Sequence, residues 1–353
     1  MELFRLDPIT RRRFRRFRQI KRGWYSFVLL GSLIVLSLFA NFVANQRAIL
    51  VVYQGRLYFP TFKYHPMSTF GQVDELGFDD AEASYSALKS DLGKKGGGWV
   101  LMPIVPFGPY EPDFTYESPP PNPPDRHHWL GTDSQGRDVF ARLLYGFRIS
   151  ILFALALVAA SETLGAVIGS LQGYLAGRFD IMSQRMIEIW SSLPYLYVVI
   201  LLASLRTPSF LTLLAILAAF RWIGITYYMR TEMYREKTRE YCLAARSFGA
   251  SRLRLIFKHL LPNCLTPLVT FVPFAVVAGI FGLTALDYLG YGLPAPTPSW
   301  GEMIDQALQS DNRDKIWLSI APFSAISVTL ILVTLIGESI REAFDPKPYA
   351  RYK

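Results

Sequence analysis

The sequence is short of the residue types that build metal and redox chemistry. Its only cysteines are Cys242 and Cys264, and four histidines occur in 353 residues. Two thiols make no disulfide framework and no thiol-based metal site. His127 and His128 are adjacent, so on a regular element they point different ways; with no third ligand nearby they read as surface residues. Charge is also scarce, at 18% Asp, Glu, Lys and Arg. No GxxxxGKS loop is present to hold nucleotide phosphates, and no HExxH, GxSxG or paired acids within an apolar run suggest a hydrolase. Neither a catalytic residue nor a resident metal or cofactor is expected on this chain.

What the chain has in abundance is apolar surface: 51% of residues are hydrophobic and 14% aromatic. A spanning helix needs about 20 mostly apolar residues, and six windows qualify. They run over 24–44, 149–174, 187–205, 210–229, 262–286 and 316–336. The first is too long for the core of a cleaved signal peptide and is read as a retained anchor, and it is too long and apolar for a twin-arginine export signal despite "RRRFRR". The net charge of +9 is concentrated in the N-terminal run and between apolar windows. There it sets topology, so no nucleic acid is expected as a partner. "RRRFRRFRQIKR" places the N-terminus in the cytoplasm, and six spans return Arg341, Lys347, Arg351 and Lys353 to the same side. The expected organisation is a basic cytoplasmic N-terminus (1–23), a first transmembrane helix (24–45), a periplasmic insert (46–128), a membrane core (129–340) with a cytoplasmic loop at 231–261, and a cytoplasmic tail (341–353). The fold class is an all-α polytopic membrane protein with a small external insert.

Within the insert, "ILVVYQGRLYFP" alternates apolar and polar residues around Gln54-Gly55 and predicts a β-hairpin, while "SPPPNPPD" predicts an extended polyproline spacer. After it, Asp133 is placed to cap a helix that rests at the outer interface, with Val139, Leu143, Leu144 and Phe147 on one face, before the chain turns into the second span. The proline-rich "GLPAPTPSW" lacks donors for a ladder and predicts a rigid external turn. Both read as architectural.

The polar segment "EYCLAARSFGASRLRLIFKHLLPN" (240–263) interrupts the apolar body. Ala244, Ala245 and Gly249 recur at helical spacing and allow another backbone to approach closely. Gly249 suits a helix C-terminus, Ser251 can cap a second helix, Leu253, Ile256, Phe257 and Leu260 predict its apolar stripe, and Pro262 marks the start of a span. Two readings fit these residues: a helix–bend–helix connector, or an amphipathic loop lying on the inner leaflet and held by Arg252, Arg254 and Lys258.

This segment resembles the cytoplasmic EAA loop of ABC importer permeases, with Ala244, Ala245, Gly249, Leu261 and Pro262 in register. Leu243 stands where the motif usually has Glu and His259 where it usually has Ile; Glu240, three residues earlier, offers a carboxylate on the same face. "HWLGTDSQGRDVFARLLYGFRIS", "LDYLGYGLPAPTPSWGEM" and "GESIREAFDPKP" resemble, in order and spacing, segments of the peptide and nickel permease family. The basic N-terminus, "YQGRLYFP" and the insert are similar to the second permease of microcin C (Yej-type) peptide importers. The resemblance implies the ABC importer permease fold and a coupling helix at Glu240, Ala244, Ala245, Arg246, Gly249, Ala250, Ser251, Leu261 and Pro262 that docks into an ATPase subunit. It also implies a second homologous permease subunit, ABC ATPase subunits that carry ATP and Mg, a periplasmic substrate-binding protein, a peptide substrate and the bilayer of the bacterial inner membrane as partners. A nickel permease is the alternative within the family.

Two ionisable residues lie deep in predicted spans, where charge is costly. Glu162 is about thirteen residues into the second span and Arg221 about eleven into the fourth, so their depths differ by about 3 Å. They form a buried pair, line the path of a substrate, or sit at the lipid edge. A proton-coupled transporter using Glu162 is the rival function; the inverted repeats that would favour it are not evident.

Overall fold

A computed structural model describes residues 8–73, 77, 79–116, 118–205 and 208–344. The basic tail residues Lys347, Arg351 and Lys353, and the end of the "GESIREAFDPKP" match, lie outside them. The helices are α1 (Pro8–Gln19), α2 (Lys21–Leu38), α3 (Ala40–Val43), α4 (Tyr85–Lys95), α5 (Val139–Leu175), α6 (Gly177–Ser191), α7 (Tyr195–Leu205), α8 (Phe210–Glu236), α9 (Glu240–Ser247), α10 (Arg252–Arg254), α11 (Leu265–Tyr288), α12 (Trp300–Leu308) and α13 (Ile316–Phe344). Strands β1 (Leu50–Tyr53), β2 (Arg56–Tyr58) and β3 (Gly98–Leu101) complete the set. The chain divides into two compact units, residues 1–31, 150–294 and 326–353 in one and residues 32–149 and 295–325 in the other.

Among the described residues, four helical runs are long and apolar enough to cross a membrane: α5, α8, the run Arg252–Tyr288 and α13. Two bent pairs, α1 with α2 at 94° and α6 with α7 at 66°, raise the number to six if each is one span. The third predicted window, 187–205, is therefore broken. Pro194 sits at the break, where it disfavours helical backbone in the residue before it.

In the first unit, α5 carries Gly165, Gly169 and Gly173 at four-residue spacing, and α8 presses its backbone onto them. A Cβ on Gly165 would lie 2.3 Å from the Trp222 carbonyl oxygen, and one on Gly169 2.4 Å from that of Thr226. Small residues at this spacing let helices in lipid pack backbone to backbone. The Thr226 hydroxyl bonds to the Gly165 carbonyl at 3.2 Å across the contact. Farther along, Phe153, Leu157, Leu213, Leu217 and Leu283 form an apolar core that joins α5, α8 and α11.

The second unit contains the insert. Its antiparallel sheet has the order β2-β1-β3, with Val51 opposite both Tyr58 and Val100. The predicted hairpin turn is at Gln54-Gly55, both residues with positive φ (50° and 76°), as a two-residue type I′ turn requires. Val51, Phe70, Tyr85, Leu88 and Val100 bury a small core between sheet and α4. The strand β3 was not anticipated.

Two expectations for the segment before the second span are corrected. Residues 139–149 are the start of α5 itself, a helix of 37 residues and about 55 Å. No proline interrupts it, and the one glycine there, Gly146, leaves room for Trp300, whose Cδ1 would be 2.9 Å from a Cβ. Asp133 caps no helix: its carboxylate accepts from the backbone N–H groups of Gln135 and Arg137, while Asp138 accepts from Ala141 N–H at the start of α5. His128 is also not a surface residue. At 1% exposure it lies between Asp138 (Nδ1, 2.7 Å) and Asp113 (Nε2, 3.1 Å).

Candidate coupling element and membrane cavity

The segment after α8 is a knuckle whose bend is fixed by local chemistry. α9 ends in a Schellman motif: Gly249 N–H bonds to the Arg246 carbonyl (3.0 Å) and Ala250 N–H to that of Ala245 (3.1 Å). Gly249 supplies the left-handed backbone this closure needs, with φ 82°. Two residues on, the Ser251 hydroxyl accepts from Arg254 N–H and starts the next helix. Four residues, 248–251, thus set the turn.

Beyond it the helix is wound unevenly. Leu255–Leu260 is a π-turn and Leu261–Cys264 a 3-10 turn before α11 becomes regular. Pro262 has no N–H to offer the carbonyl four residues back, and Leu261 N–H reaches the Ile256 carbonyl instead. The wider turn changes which residues face inward. Leu255, Ile256 and Leu260 are buried, whereas Leu253 and Phe257, expected in the apolar stripe, are exposed.

The inner face of the knuckle is packed on the spans. Cys242, Leu255, Ile256, Leu260 and Cys264 form one buried cluster with Met229 and Met233 of α8 and Ala166 of α5, with Ala245, Ala250 and Leu261 against its edge. The Tyr241 hydroxyl donates to the buried Glu236 carboxylate at 2.9 Å. Burial, and then that bond, push the Tyr241 phenol up to about 12, so it stays a donor at any physiological pH. The outer face carries exposed Glu240, Leu243, Ala244, Arg246 and Phe248, the last 90% exposed. Glu240 is on the first turn of α9, one turn before Leu243.

An ionic cluster with no signal in the local sequence fastens α6 to the same end of α8. Arg230 donates through Nε and Nη2 to the two Asp180 oxygens, both at 2.6 Å, and the Tyr234 hydroxyl donates to Asp180 at 2.6 Å. Lys237 Nζ reaches the Gly173 carbonyl of α5 at 2.7 Å. The end of α8 and Lys237 just beyond it are therefore tied to two other helices, α6 and α5.

Glu162 and Arg221 do face one another's space. Both line a cavity of about 210 Å³ walled by Leu157, Tyr228, Phe271 and Phe274. Among the described residues they form no ion pair. Arg221 Nη2 donates to the Ala278 carbonyl of α11 at 2.9 Å, and Gly282 leaves the room it needs. Glu162 is 9% exposed, and its Oε2 is buried with no hydrogen-bond partner. An unpartnered buried carboxylate oxygen is costly in a membrane helix and marks this wall as a place where a polar group belongs.

The two motif segments expected to be architectural meet in the second unit. Arg137 bonds to Asp133 (2.7 Å) and to Glu302 (3.0 Å), and Arg142 pairs with Glu302 and donates to the Pro109 carbonyl (3.0 Å). Both arginines are buried. Trp300 Nε1 donates to the Leu143 carbonyl at 3.1 Å, holding α12 beside the first turns of α5.

The family model for the binding-protein-dependent transport system inner membrane component matches residues 143–348. The chain is 41% identical over 344 residues to the inner membrane ABC transporter permease protein YejE of Escherichia coli (strain K12), covering 97% of this chain and 98% of that protein. It is 36% identical to the peptidoglycan transport system permease protein YejE of Agrobacterium fabrum, covering 97% and 94%. With the dipeptide transport system permease protein DppC of Bacillus subtilis it shares 37% identity over 64% of this chain and 70% of the relative. That family is one of transport components and not of enzymes, and its seat is the inner membrane. With its apolar helices, its three-stranded insert and this match over most of its length, the chain belongs to the binding-protein-dependent transport system inner membrane component family.

Proposed function

We propose that this chain is one of two homologous permease subunits of an ABC importer that takes up peptides or peptide-like compounds. ATP and Mg are held by partner ATPase subunits, and a periplasmic binding protein delivers the substrate. The knuckle built from Glu240, Ala244, Ala245, Arg246, Gly249, Ala250, Ser251, Leu261 and Pro262 is the element that receives the ATPase movement, through its outer face. It lies in the cytoplasm, as do both termini, and the insert lies on the opposite side. The peptide reading is supported by the printed functions of the relatives, several of which are peptide permeases.

One observation carries the coupling role. The knuckle has two unlike faces: its inner face is buried against Met229 and Met233, and its outer face leaves Phe248 bare. A large apolar side chain fully open to water marks a protein contact when it sits on a structured tip. Displacing that tip moves α8, and α8 cannot move without α5 because their backbones touch at Gly165, Gly169 and Gly173. Glu162 and Arg221 then line part of the substrate path in the moving pair of helices.

The test is co-purification in mild detergent, followed by ATP-driven peptide uptake into vesicles, for the parent chain and for Phe248→Asp. The expected result is a second permease and ATPases recovered with the parent, and loss of both ATPase recovery and uptake in the variant at unchanged thermal stability. Full uptake by Phe248→Asp, or uptake by the parent without any ATPase, would overturn the reading.

A further inference from the structure

Helix α1 is a run of twelve residues, "PITRRRFRRFRQ", with six arginines and no acidic residue. Its axis meets that of α2 at 94°. If α2 crosses the bilayer, α1 lies along the surface and cannot be part of the span; its charge alone excludes it from hydrocarbon. Arg11, Arg15 and Arg18 recur at helical spacing on one exposed stripe, with exposed Phe14 beside it. Like charges one turn apart oppose a helix unless something negative faces them.

The opposite face of α1 is fixed. Phe17 is buried and packs edge-on against Trp24 and Phe27 at the bend, at 6.5 and 6.0 Å between ring centres. Arg13 stacks over the Phe344 ring at 4.5 Å, and Arg22 pairs with Glu342 (3.1 Å) and Glu338 (3.8 Å). Gly23 is pressed so closely on Ser339 that a Cβ would overlap it. α1 is therefore held against the last two turns of α13 through Arg13, and the start of α2 through Arg22 and Gly23; on the other face Arg11 and Arg15 are exposed, and Arg18, also exposed, lies over the Trp24 ring at 5.3 Å.

We propose that α1 is a clamp for acidic phospholipids: Arg11, Arg15 and Arg18 bind the headgroup phosphates of the adjoining leaflet and thereby hold the end of α13 in place. Three observations agree. The stripe is purely cationic, the bend lays it along the leaflet, and aromatic rings gather at the junction, where the interface favours them. A protein partner would need apolar anchors at the centre of its contact, and the stripe offers only Phe14 at its margin.

The full chain in lipid nanodiscs tests this by hydrogen exchange. Exchange over residues 10–19 is expected to be at least about fivefold slower in phosphatidylcholine discs that contain phosphatidylglycerol than in phosphatidylcholine alone, which one headgroup contact suffices to supply. The difference is expected to fade at high salt. Neutralising the stripe can invert insertion, so Arg→Lys and Arg→Gln triples at 11, 15 and 18 are compared, with orientation checked by protease access to the knuckle. The lysine variant should retain the lipid effect and the correctly oriented glutamine variant should lose it. Equal exchange in neutral and acidic discs overturns the proposal, and so does protection that arises only when ATPase subunits are added, which would make the occupant a protein.

Discussion

Gly173 of α5 lies so close to α8 that a Cβ on it would stand 2.5 Å from the Arg230 carbonyl oxygen and 2.7 Å from the Met233 side chain. This is the last of three such contacts, and it adjoins the Lys237 bond to the Gly173 carbonyl. The two helices share a seam that continues to the base of the knuckle, so force applied there is divided between them without slack.

The seam makes a direct prediction. Gly169→Val must push α8 away, because the nearest obstacle is backbone and cannot rotate aside. Overpacking of this kind costs about 1–3 kcal/mol. The expected outcome is a lower unfolding midpoint in detergent and a loss of ATP-driven uptake larger than that loss of folded protein accounts for. Gly31→Ala on α2, where a Cβ meets nothing within 4 Å and which lines neither the seam nor the cavity, is the control expected to leave both unchanged.

The bend at Gly249 makes a second. A Cβ there meets no neighbour, so a substitution acts through the backbone alone. Forcing a non-glycine residue into the left-handed region costs about 1–2 kcal/mol. Gly249→Ala is expected to loosen the Schellman closure and speed amide exchange at Ala250, and Gly249→Asn, which tolerates that region better, to do so less. Equal effects from the two would mean that side-chain contact and not backbone geometry matters at this position.

Much of this was legible in the sequence because it depends on local chemistry. Gly249 and Ser251 announce a C-cap followed by an N-cap, and Gln54-Gly55 announces a hairpin, from neighbours alone. The inward face after Ser251 was misassigned because a regular helical period was assumed where Pro262 forces a π-turn. The α5–α8 seam is written as "GAVIGSLQG", a glycine every fourth residue, and was missed although the signal was present. Arg137, Arg142 and Glu302 left no such trace: the bond from Arg142 to Glu302 spans 160 residues, and nothing local shows that a buried arginine will find its carboxylate there. His128 was misplaced for the same reason, since Asp113 and Asp138 flank it from opposite sides in sequence.

The cavity wall makes a third prediction. The positions of the two charges along their spans allow a direct pair between Glu162 and Arg221, but each has its own environment: Arg221 is bonded to Ala278, and Glu162 Oε2 has no partner. Glu162→Gln and Arg221→Gln are therefore expected to have additive effects on uptake, within about 0.5 kcal/mol. Glu162→Gln alone should leave thermal stability equal or higher, because it removes the charge of an unpartnered buried carboxylate, and yet lower uptake. Rescue of either single variant by the other would establish an ion pair in place of a shared path wall.

The last prediction concerns pH in the insert. Burial alone would depress the His128 imidazole, but its bonds to Asp138 and Asp113 outweigh that and raise it above its ordinary 6.5. A group raised on folding stabilises the fold fully below its unfolded value, and the contribution is lost as pH climbs through the folded value. The second unit is thus expected to lose thermal stability progressively above about pH 6.5, as neutral His128 ceases to pair with both acids. Asp113 sets the opposite limb. Burial works against its ionisation, but the Thr115 N–H and hydroxyl and then His128 hold it below its ordinary 3.8, so its contribution is present above that value and lost in strong acid. His128→Asn is expected to flatten the alkaline limb, lowering the midpoint near pH 6 towards the value both proteins share near pH 9. Thermal unfolding of the full chain in detergent between these limits measures it, with local exchange at Asp113 and Asp138 assigning the change to this site. A slope of unchanged size in His128→Asn would move the titrating group away from this site, and His65 could not supply it, because burial lowers His65 and so gives a pH dependence of the opposite sign.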